Sequence, residues 1–350
     1  MNTIETPATR PREHFEFTGS GADYFRIWIV NIALTIVTFG IYSAWAKVRR
    51  LQYFHRNTRV AGSSFDYHAR PMSILKGRLI AFAVIAVYNA AGKFNPLLAL
   101  MVAVPIVLAL PWMLRQSLRF RLHYSSWRGL RFSFRGDLPG AYRVFLLWPV
   151  LTVISLGMLG PMWHQRLKRF QHDHSAFGAT PFRFAASVGK FYAIYLRAGL
   201  IVLALAVMGA ALFAVAGISG PLHGRRAAVL LLGFAIFAVV FAAFSVTIGP
   251  YLVSRIQNLV WNNTTLGPHC FHSSLKARKL AWIAASNLFL IVITLGLFMP
   301  FAAVRVARYR VSTMTLEPGA ALDEFVAGEK SSVAAVGEEL GEFLDIDISL

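Results

Sequence analysis

The sequence predicts an all-α polytopic membrane protein, and three observations lead to that fold class. The first is composition: 56% of the 350 residues are hydrophobic and only 15% are charged, whereas soluble domains carry about 25% charged residues. The second is distribution, because the apolar residues form long runs separated by basic, aromatic loops. This arrangement is typical of a chain that crosses a bilayer several times.

The third observation is a motif that occurs three times. Around Gly40 an apolar helical run meets a Thr-Phe-Gly break and continues into a helix rich in aromatic and basic residues. A close copy surrounds Gly296, and a weaker copy surrounds Gly157. Glycine at such positions serves helix breaks or close helix contacts. The predicted fold therefore has three related motif helices, broken at Gly40, Gly157 and Gly296, plus two transmembrane hairpins and short strand-like cytosolic loops.

Two pairs of apolar runs predict the transmembrane hairpins. The runs at 79–87 and 97–114 are joined by a short turn, and the first needs residues back to about Met72 to span the bilayer core. The runs at 191–218 and 227–253 are each longer than 20 residues and span easily.

The elements in chain order predict a division into two tails and one membrane domain. The polar N-terminal tail carries no apolar segment with a cleavage site, so we expect no removable signal peptide. The C-terminal tail is acidic and is expected to be disordered or a short cytosolic helix. The predicted units are the tail 1–14, the membrane domain 15–316 with repeats near 15–67, 132–184 and 263–316, and the acidic tail 317–350.

The placement of basic residues predicts the orientation. Lys and Arg number 23 in the four loops at 46–78, 115–135, 164–190 and 255–279, but only 3 in the two hairpin turns. The loops collect on one side only if each motif enters and leaves the bilayer on that side. The positive-inside rule then predicts that the basic loops and the C-terminal tail are cytoplasmic.

Small and polar residues of the motifs are candidates for a pore or for the polar core between repeats. Asn31 and Thr38 are seven residues apart and share one helix face, a spacing that Asn287 and Thr294 reproduce. Such side chains hydrogen-bond across helices in lipid. The pattern therefore fits either structural contacts between helices or a substrate or ion site. The candidates are Asn31, Thr38, Gly40, Ser155, Gly157, Asn287, Thr294 and Gly296.

Basic and aromatic residues of the motifs are candidates for headgroup binding. One arginine recurs at the same place in each motif, where it suits either interface anchoring or binding of an anionic lipid or substrate. The candidates are Arg49, Tyr53, Arg166, Arg305 and Tyr309. The expected partners are membrane lipids with anionic headgroups. We expect no nucleic acid partner, since the bases flank apolar runs and no recognition fold is visible.

Catalytic and metal-binding patterns do not stand out in the sequence. It contains no Ser-His-Asp spacing, no paired carboxylates and no metal-ligand motif of known spacing. We therefore expect no catalytic residue, no metal and no cofactor, although enzyme activity is not settled by these absences.

The first motif resembles the YjgN family of bacterial inner-membrane proteins, which is defined by a domain of unknown function. The similarity covers most of residues 13–316, although the middle motif lacks the asparagine and the Tyr-Trp pair. The resemblance implies a multi-pass protein of the bacterial inner membrane and implies no established activity. It rests on Gly19-Ser20-Gly21, Tyr24-Phe25, Trp28, Asn31, Thr38 to Tyr42, Trp45, Arg49, Tyr53, Asn57-Thr58, Gly62 and Phe65.

The predicted function is transport or permeation of a small solute, including an anionic one. Internal repeats with broken helices are common in transporters, so the breaks at Gly40 and Gly296 are expected to line the path. The alternative is a membrane scaffold or anionic-lipid-binding protein without transport or catalysis. A polar cavity lined by Asn31, Thr38, Asn287 and Thr294 would favour transport, and pairing of these residues in a dry interior would favour the scaffold.

Overall fold

A computed structural model describes residues 11–218 and 226–331. The first ten residues, the predicted turn of the second hairpin at 219–225 and the acidic tail from residue 332 lie outside the described residues. The described chain consists of helices and very short strands. The strands are β1 Glu13–His14, β2 Glu16–Phe17, β3 Thr58–Val60, β4 Ser63–Tyr67, β5 Ser125–Trp127, β6 Leu130–Phe134, β7 Ser175–Phe177, β8 Thr180–Phe184, β9 Thr264–Leu266, β10 His269–Ser273 and β11 Met314–Glu317.

All eleven of these strands belong to one antiparallel sheet, which closes on itself. Its order is β1-β11-β10-β9-β8-β7-β6-β5-β4-β3-β2. The two ends of this order, β1 and β2, are separated in the chain only by Phe15, so the segment 13–17 pairs with β11 on one side and with β3 on the other. Closure leaves no free edge strand. We call this closed sheet the ring.

Tight turns join the strands in pairs along one edge of the ring. Ala61 and Gly62 have φ of 47° and 72°, and Arg128 and Gly129 have φ of 49° and 82°, as two-residue hairpin turns of the right twist require. Because neighbouring strands are antiparallel, every tight turn lies at this turn edge. Every helical connection therefore starts and ends at the opposite edge, which we call the helical edge.

In the described part of the chain, five helical hairpins leave the helical edge, and an equivalent backbone hydrogen bond closes each of them. In each case the amide directly after one strand donates to the carbonyl directly before the next strand, at 2.8 to 3.0 Å. The five bonds run from Thr18 N to Asn57 O, His68 N to Tyr124 O, Arg135 N to His174 O, Ala185 N to Asn263 O and Ser274 N to Thr313 O.

Two hairpins are long and three are short. The long ones are α3 Pro71–Phe94 with α4 Pro96–His123, and α8 Val188–Ile218 with α9 Arg226–Trp261. The short ones are α1 Gly21–Val37 with α2 Ser43–Arg56, then α5 Leu138–Tyr142, the π-helix Arg143–Leu147 and α6 Trp148–Ile154 with α7 Gly160–Asp173, and α10 Ala277–Ile293 with α11 Met299–Ser312.

The predicted fold class is wrong because the strand-like pieces are not isolated loops. They form hairpins through tight turns, and the hairpins pair with one another across helical connections of 40 or more residues to form the ring. Among the described residues, only α3, α4 and α8 (over Val188–Ala211) are long and apolar enough to cross a membrane, which is fewer than the two full hairpins expected.

The short hairpins reverse at the three motif glycines, through the same backbone conformation. Phe39 and Gly40 have φ of 49° and 90°, Leu156 and Gly157 have 52° and 88°, and Leu295 and Gly296 have 51° and 93°. Side chains of Phe39, Leu156 and Leu295 are 98%, 94% and 93% exposed. Apolar tips without protein cover are expected to sit in lipid. An arm of 17 residues is roughly 25 Å long, which is too short to cross a core of about 30 Å.

The left-handed conformation at these tips predicts a stability difference between two glycines. Gly296→Ala should destabilise the protein by about 1–2 kcal/mol, because a Cβ is strained at this φ although no atom lies within 4 Å. Gly199→Ala is the matched control: it is equally open, lies inside α8 and has no positive φ, so it should stabilise slightly. Thermal unfolding in detergent measures both, and equal midpoints for the two variants would contradict this account of the tips.

Candidate functional site

The interior of the ring holds two stacked layers of apolar side chains. The layer near the helical edge consists of Phe15, between β1 and β2, and the central phenylalanine of each five-residue strand. The layer near the turn edge consists of the third residue of each of the strands β3, β5, β7, β9 and β11. The first layer is Phe15, Phe65, Phe132, Phe182 and Phe271, and the second is Val60, Trp127, Phe177, Leu266 and Leu316. A cavity of about 370 Å³ lies among these residues.

The five phenylalanines of the first layer follow one another around the inside of the ring, and we call them the phenylalanine girdle. Four successive pairs of their rings, from Phe15 to Phe271, have centroids 6.1 to 6.4 Å apart and planes within 11° to 26° of each other. Each lies between polar or small neighbours that point to the outside of the sheet, as strand alternation requires. The girdle therefore presents only hydrocarbon to the axis.

A second cavity, of about 740 Å³, lies between the helices, on the side of the girdle that faces the helical edge. Three phenylalanines of the girdle, Phe65, Phe132 and Phe182, also line this cavity. We call it the basic cavity, because Arg121, Lys168 and Arg310 line it. These three residues come from α4, α7 and α11. No Asp or Glu is among the described residues that line it. Arg121 and Arg310 are exposed and Lys168 is half-buried, so the cavity is an open cleft, and a cleft lined by unopposed positive charges concentrates anions.

Neighbouring amides hydrogen-bond to two of the three cations, Arg310 and Lys168. Arg310 Nε donates to Gln257 Oε1 at 2.7 Å, and Gln257 Nε2 donates back to the Arg310 carbonyl at 3.3 Å. Lys168 Nζ donates to Gln171 Oε1 at 3.4 Å. Burial, reinforced by the nearby charges of Arg121 and Arg310, lowers the pKa of Lys168. The charges of Arg121 and Arg310 repel the protonated form of Lys168. A bound anion would offset this repulsion and raise the pKa of Lys168 again.

The helix geometry explains why the two arginines meet. Arg121 and Arg310 each lie four residues before the first residue of the following short strand, so they occupy equivalent places in the last turns of α4 and α11. Cations are common in a last helical turn because they interact favourably with the helix dipole. Lys168 lies further from the end of α7, so an interaction with the helix dipole does not explain its position.

Two histidines of the polar lining, His164 and His172, are neutral at pH 7. Burial, followed by the charge of Lys168, lowers the pKa of His164 to about 4 and that of His172 to about 4. His164 Nδ1 lies 2.7 Å from the hydroxyl of Tyr195, and the His172 ring stacks on Phe184 at 5.6 Å.

These lowered pKa values predict acid sensitivity of the fold. Below the ordinary pKa of 6.5 the unfolded chain binds protons that the folded chain does not, so stability falls as pH drops from about 6.5 towards 4. At pH 5 each histidine should cost about 2 kcal/mol relative to pH 7. Unfolding midpoints of the protein and of His172→Gln between pH 7.5 and 5 measure this. An unchanged pH slope in the variant would contradict the assignment to His172.

The hydroxyl residues predicted as pore candidates hold the hairpin tips together. Thr38 Oγ1 donates to Leu34 O at 2.7 Å and accepts from Tyr42 N at 2.9 Å. Thr294 makes the same two bonds at 2.6 and 3.0 Å, and Ser155 bonds Thr152 O and Leu159 N in the same way. None of these three lines either axial cavity among the residues described.

The two candidate asparagines are buried within their own hairpins. Asn287 Oδ1 accepts from Arg305 Nη1 at 2.7 Å, and its amide donates to the Ala302 carbonyl at 3.4 Å. Asn31 is 7% exposed, and its Oδ1 has no hydrogen-bond partner among the described residues. The structure brings Asn287 and Arg305 together but does not bring either into the two cavities.

The candidate headgroup residues divide between surface and interior. Arg49 is exposed and lies 5.9 Å from the Tyr42 ring centroid, and Arg166 lies 5.8 Å from that of Trp148. Tyr53 and Tyr309 each connect the second helix of a short hairpin to the residue that precedes its first helix. The Tyr53 hydroxyl donates to the Ser20 carbonyl at 2.6 Å, and the Tyr309 hydroxyl accepts from the Lys276 amide at 3.1 Å.

Sequence reasoning missed Arg121, Lys168 and Arg310 as a group. Arg121 and Lys168 were counted only among the bases that set orientation, and Arg310 lies outside the four loops of that count. The spacing of Arg121 and Arg310 from the following strands is the signal that relates them, and it becomes informative only once those strands are known to meet in one ring.

The comparisons with known proteins agree with a membrane protein. Residues 12–343 match the model of DUF898, bacterial protein of unknown function. "Inner membrane protein YjgN" of Escherichia coli O157:H7 is 31% identical over 148 residues, and so is its counterpart in strain K12. These matches cover 42% of this chain but only 37% of each relative. "Inner membrane protein YjgN" of Salmonella typhimurium is 23% identical over 87% of this chain and 88% of the relative.

No solved structure matches the chain. The names of the relatives and the three apolar helices together support a location in the inner membrane.

Proposed function

This chain belongs to the DUF898 family of bacterial proteins of unknown function, and we propose that it forms a path for small anions across the inner membrane. The observation that carries the proposal is the convergence of Arg121, Lys168 and Arg310 on one cavity that no described acidic side chain lines. Cations that only stabilised helix ends or met headgroups would have no reason to converge on one cavity.

In this proposal the path passes through the basic cavity and then through the phenylalanine girdle. The basic cavity would attract anions from between the helices, and the phenylalanine girdle would be the narrowest point below it. Hydrophobic constrictions of this kind gate channels by excluding water. We propose that the ring lies on the cytoplasmic side, because its strands and the helix ends beside it carry most of the bases.

We also propose that the five hairpin-and-strand units are internal repeats. The equivalent closing hydrogen bonds and the matching central phenylalanines support this. In this proposal the eight small and polar motif residues, including Asn31 and Gly40, shape the short hairpins that surround the path.

A second candidate function is binding of anionic lipid without transport. The exposed Arg49 beside the Tyr42 ring favours it, because such a pair suits a headgroup layer. This candidate assigns no role to the three cations of the basic cavity, and for that reason we place it second.

Flux through liposomes tests the proposal. Purified protein is reconstituted into vesicles that contain an iodide-quenched dye, and iodide is added outside with a proton carrier present to dissipate charge. We expect dye quenching many times faster than in protein-free vesicles. Quenching at the protein-free rate, together with retention of anionic lipid by the purified protein in native mass spectrometry, would favour the lipid-binding candidate instead.

A further inference from the structure

The turn edge of the ring is covered by a helix over 322–331, which follows β11 after a short link. Leu322, Phe325 and Val326 lie on one face of this helix and pack into the core of the ring. The Phe325 ring is 6.3 Å from that of Phe177 and 4.6 Å from that of His269. The apolar face of the helix therefore points down the ring axis, towards the girdle.

Glu329, seven residues after Leu322, lies on the same buried face of the helix and bonds to one turn at the rim of the ring. The Glu329 carboxylate accepts hydrogen bonds from the backbone amides of Ala179 and Thr180 and from the Thr180 hydroxyl. Glu329 is only 8% exposed, and a buried carboxylate requires such donors. Because all three donors belong to a single turn, they fix the position of the Glu329 carboxylate and so of the helix end.

A second acid fastens the other end of the helix. Asp323 pairs with Arg128, whose guanidinium also donates to the Ala61 carbonyl at 2.8 Å and to Ser63 Oγ at 3.1 Å. Arg128 thus links the helix to two neighbouring turns of the ring.

The charge of this segment opposes the proposed cargo. Residues 317–347 hold nine of the 16 acids of the chain, and Lys330 is their only base. The docked helix itself holds three of these acids, Asp323, Glu324 and Glu329, so it would exclude anions from the outer end of the ring sterically and, through its net negative charge, electrostatically.

We infer that the helix over 322–331 is a stopper that closes the turn edge of the ring and leaves it when the path is open. The closing role rests on the proposed anion path, whereas the docking itself does not. Its contact consists of three apolar side chains and two carboxylates, which is small enough to release as a unit without unfolding the ring.

A disulfide lock tests the stopper in the full chain. A Cβ built on Gly178 would lie 3.2 Å from Cβ of Glu329, close to the separation of about 3.8 Å found in disulfides. We combine Gly178→Cys and Glu329→Cys with Cys270→Ser, which removes the only native thiol. Each single cysteine variant in the same background is a control.

With the cross-link formed, iodide flux should fall at least fivefold relative to the same protein after reduction, and the single variants should not respond to oxidation. A cross-link verified by mass spectrometry that leaves flux unchanged would overturn the inference.

A second measurement does not depend on flux and separates failure of the stopper from failure of the anion path. Leu316 is 6% exposed and lies behind the helix, so Leu316→Cys with Cys270→Ser reports its undocking through labelling by a water-soluble thiol reagent. Adding Glu329→Gln should raise the labelling rate at least tenfold. An unchanged rate would overturn the stopper even if no variant conducts.

Discussion

Replacing Arg121, Lys168 and Arg310 together with glutamine should lower iodide flux at least about tenfold, because confined charge raises local anion concentration and entry rates by 10- to 1000-fold. The three side chains are the charged groups that line the basic cavity among the described residues. Glutamine keeps much of their length and hydrogen-bonding capacity and removes their charge. The flux assay in vesicles measures the effect.

Two controls separate charge from folding in this triple variant. Arg183→Gln removes an exposed base from β8, whose neighbour Phe182 faces the axis, and it should leave flux unchanged. Arg310→Lys keeps the charge, disturbs the bond to Gln257 and should retain most of the flux. Wild-type flux in the triple variant would contradict the role assigned to the cavity.

Serine at Phe132 or Phe182 should increase flux several-fold, because a hydroxyl in the phenylalanine girdle lets water enter a constriction that hydrocarbon keeps dry. Both rings belong to successive stacked pairs of the girdle. Truncating a well-packed Phe can cost about 3–5 kcal/mol of stability, so unfolding must be followed in parallel.

Leucine at the same two positions is the matched control for lost packing. It removes the ring but keeps the girdle apolar, so flux should stay near the wild-type level. If serine and leucine variants conduct alike, the girdle does not act as a hydrophobic barrier.

The sequence predicted local features of this fold well. The reversals at Gly40, Gly157 and Gly296 could be anticipated because a glycine that follows an apolar run and a hydroxyl residue suits a left-handed turn. The alternating pieces around Phe15, Phe65, Phe132, Phe182 and Phe271 were also recognisable, because side chains of a strand alternate between two faces.

The closed ring could not be predicted from the same patterns. Its strands have two to five residues each, and a strand of that length carries too little hydrophobic pattern to specify its partner. Pairing of β4 with β5, for example, depends on α3 and α4 returning the chain to the same edge. For that reason the convergence of Arg121, Lys168 and Arg310, which lie far apart in sequence, was invisible without the tertiary structure.

The most direct measurement of the central claim is the reversal potential of current through purified protein in a planar bilayer under a potassium chloride gradient. An anion path predicts a reversal potential near the chloride equilibrium value, and a shift away from it in the triple glutamine variant. A reversal potential at the potassium value, or no current above that of the bare bilayer, would contradict the account.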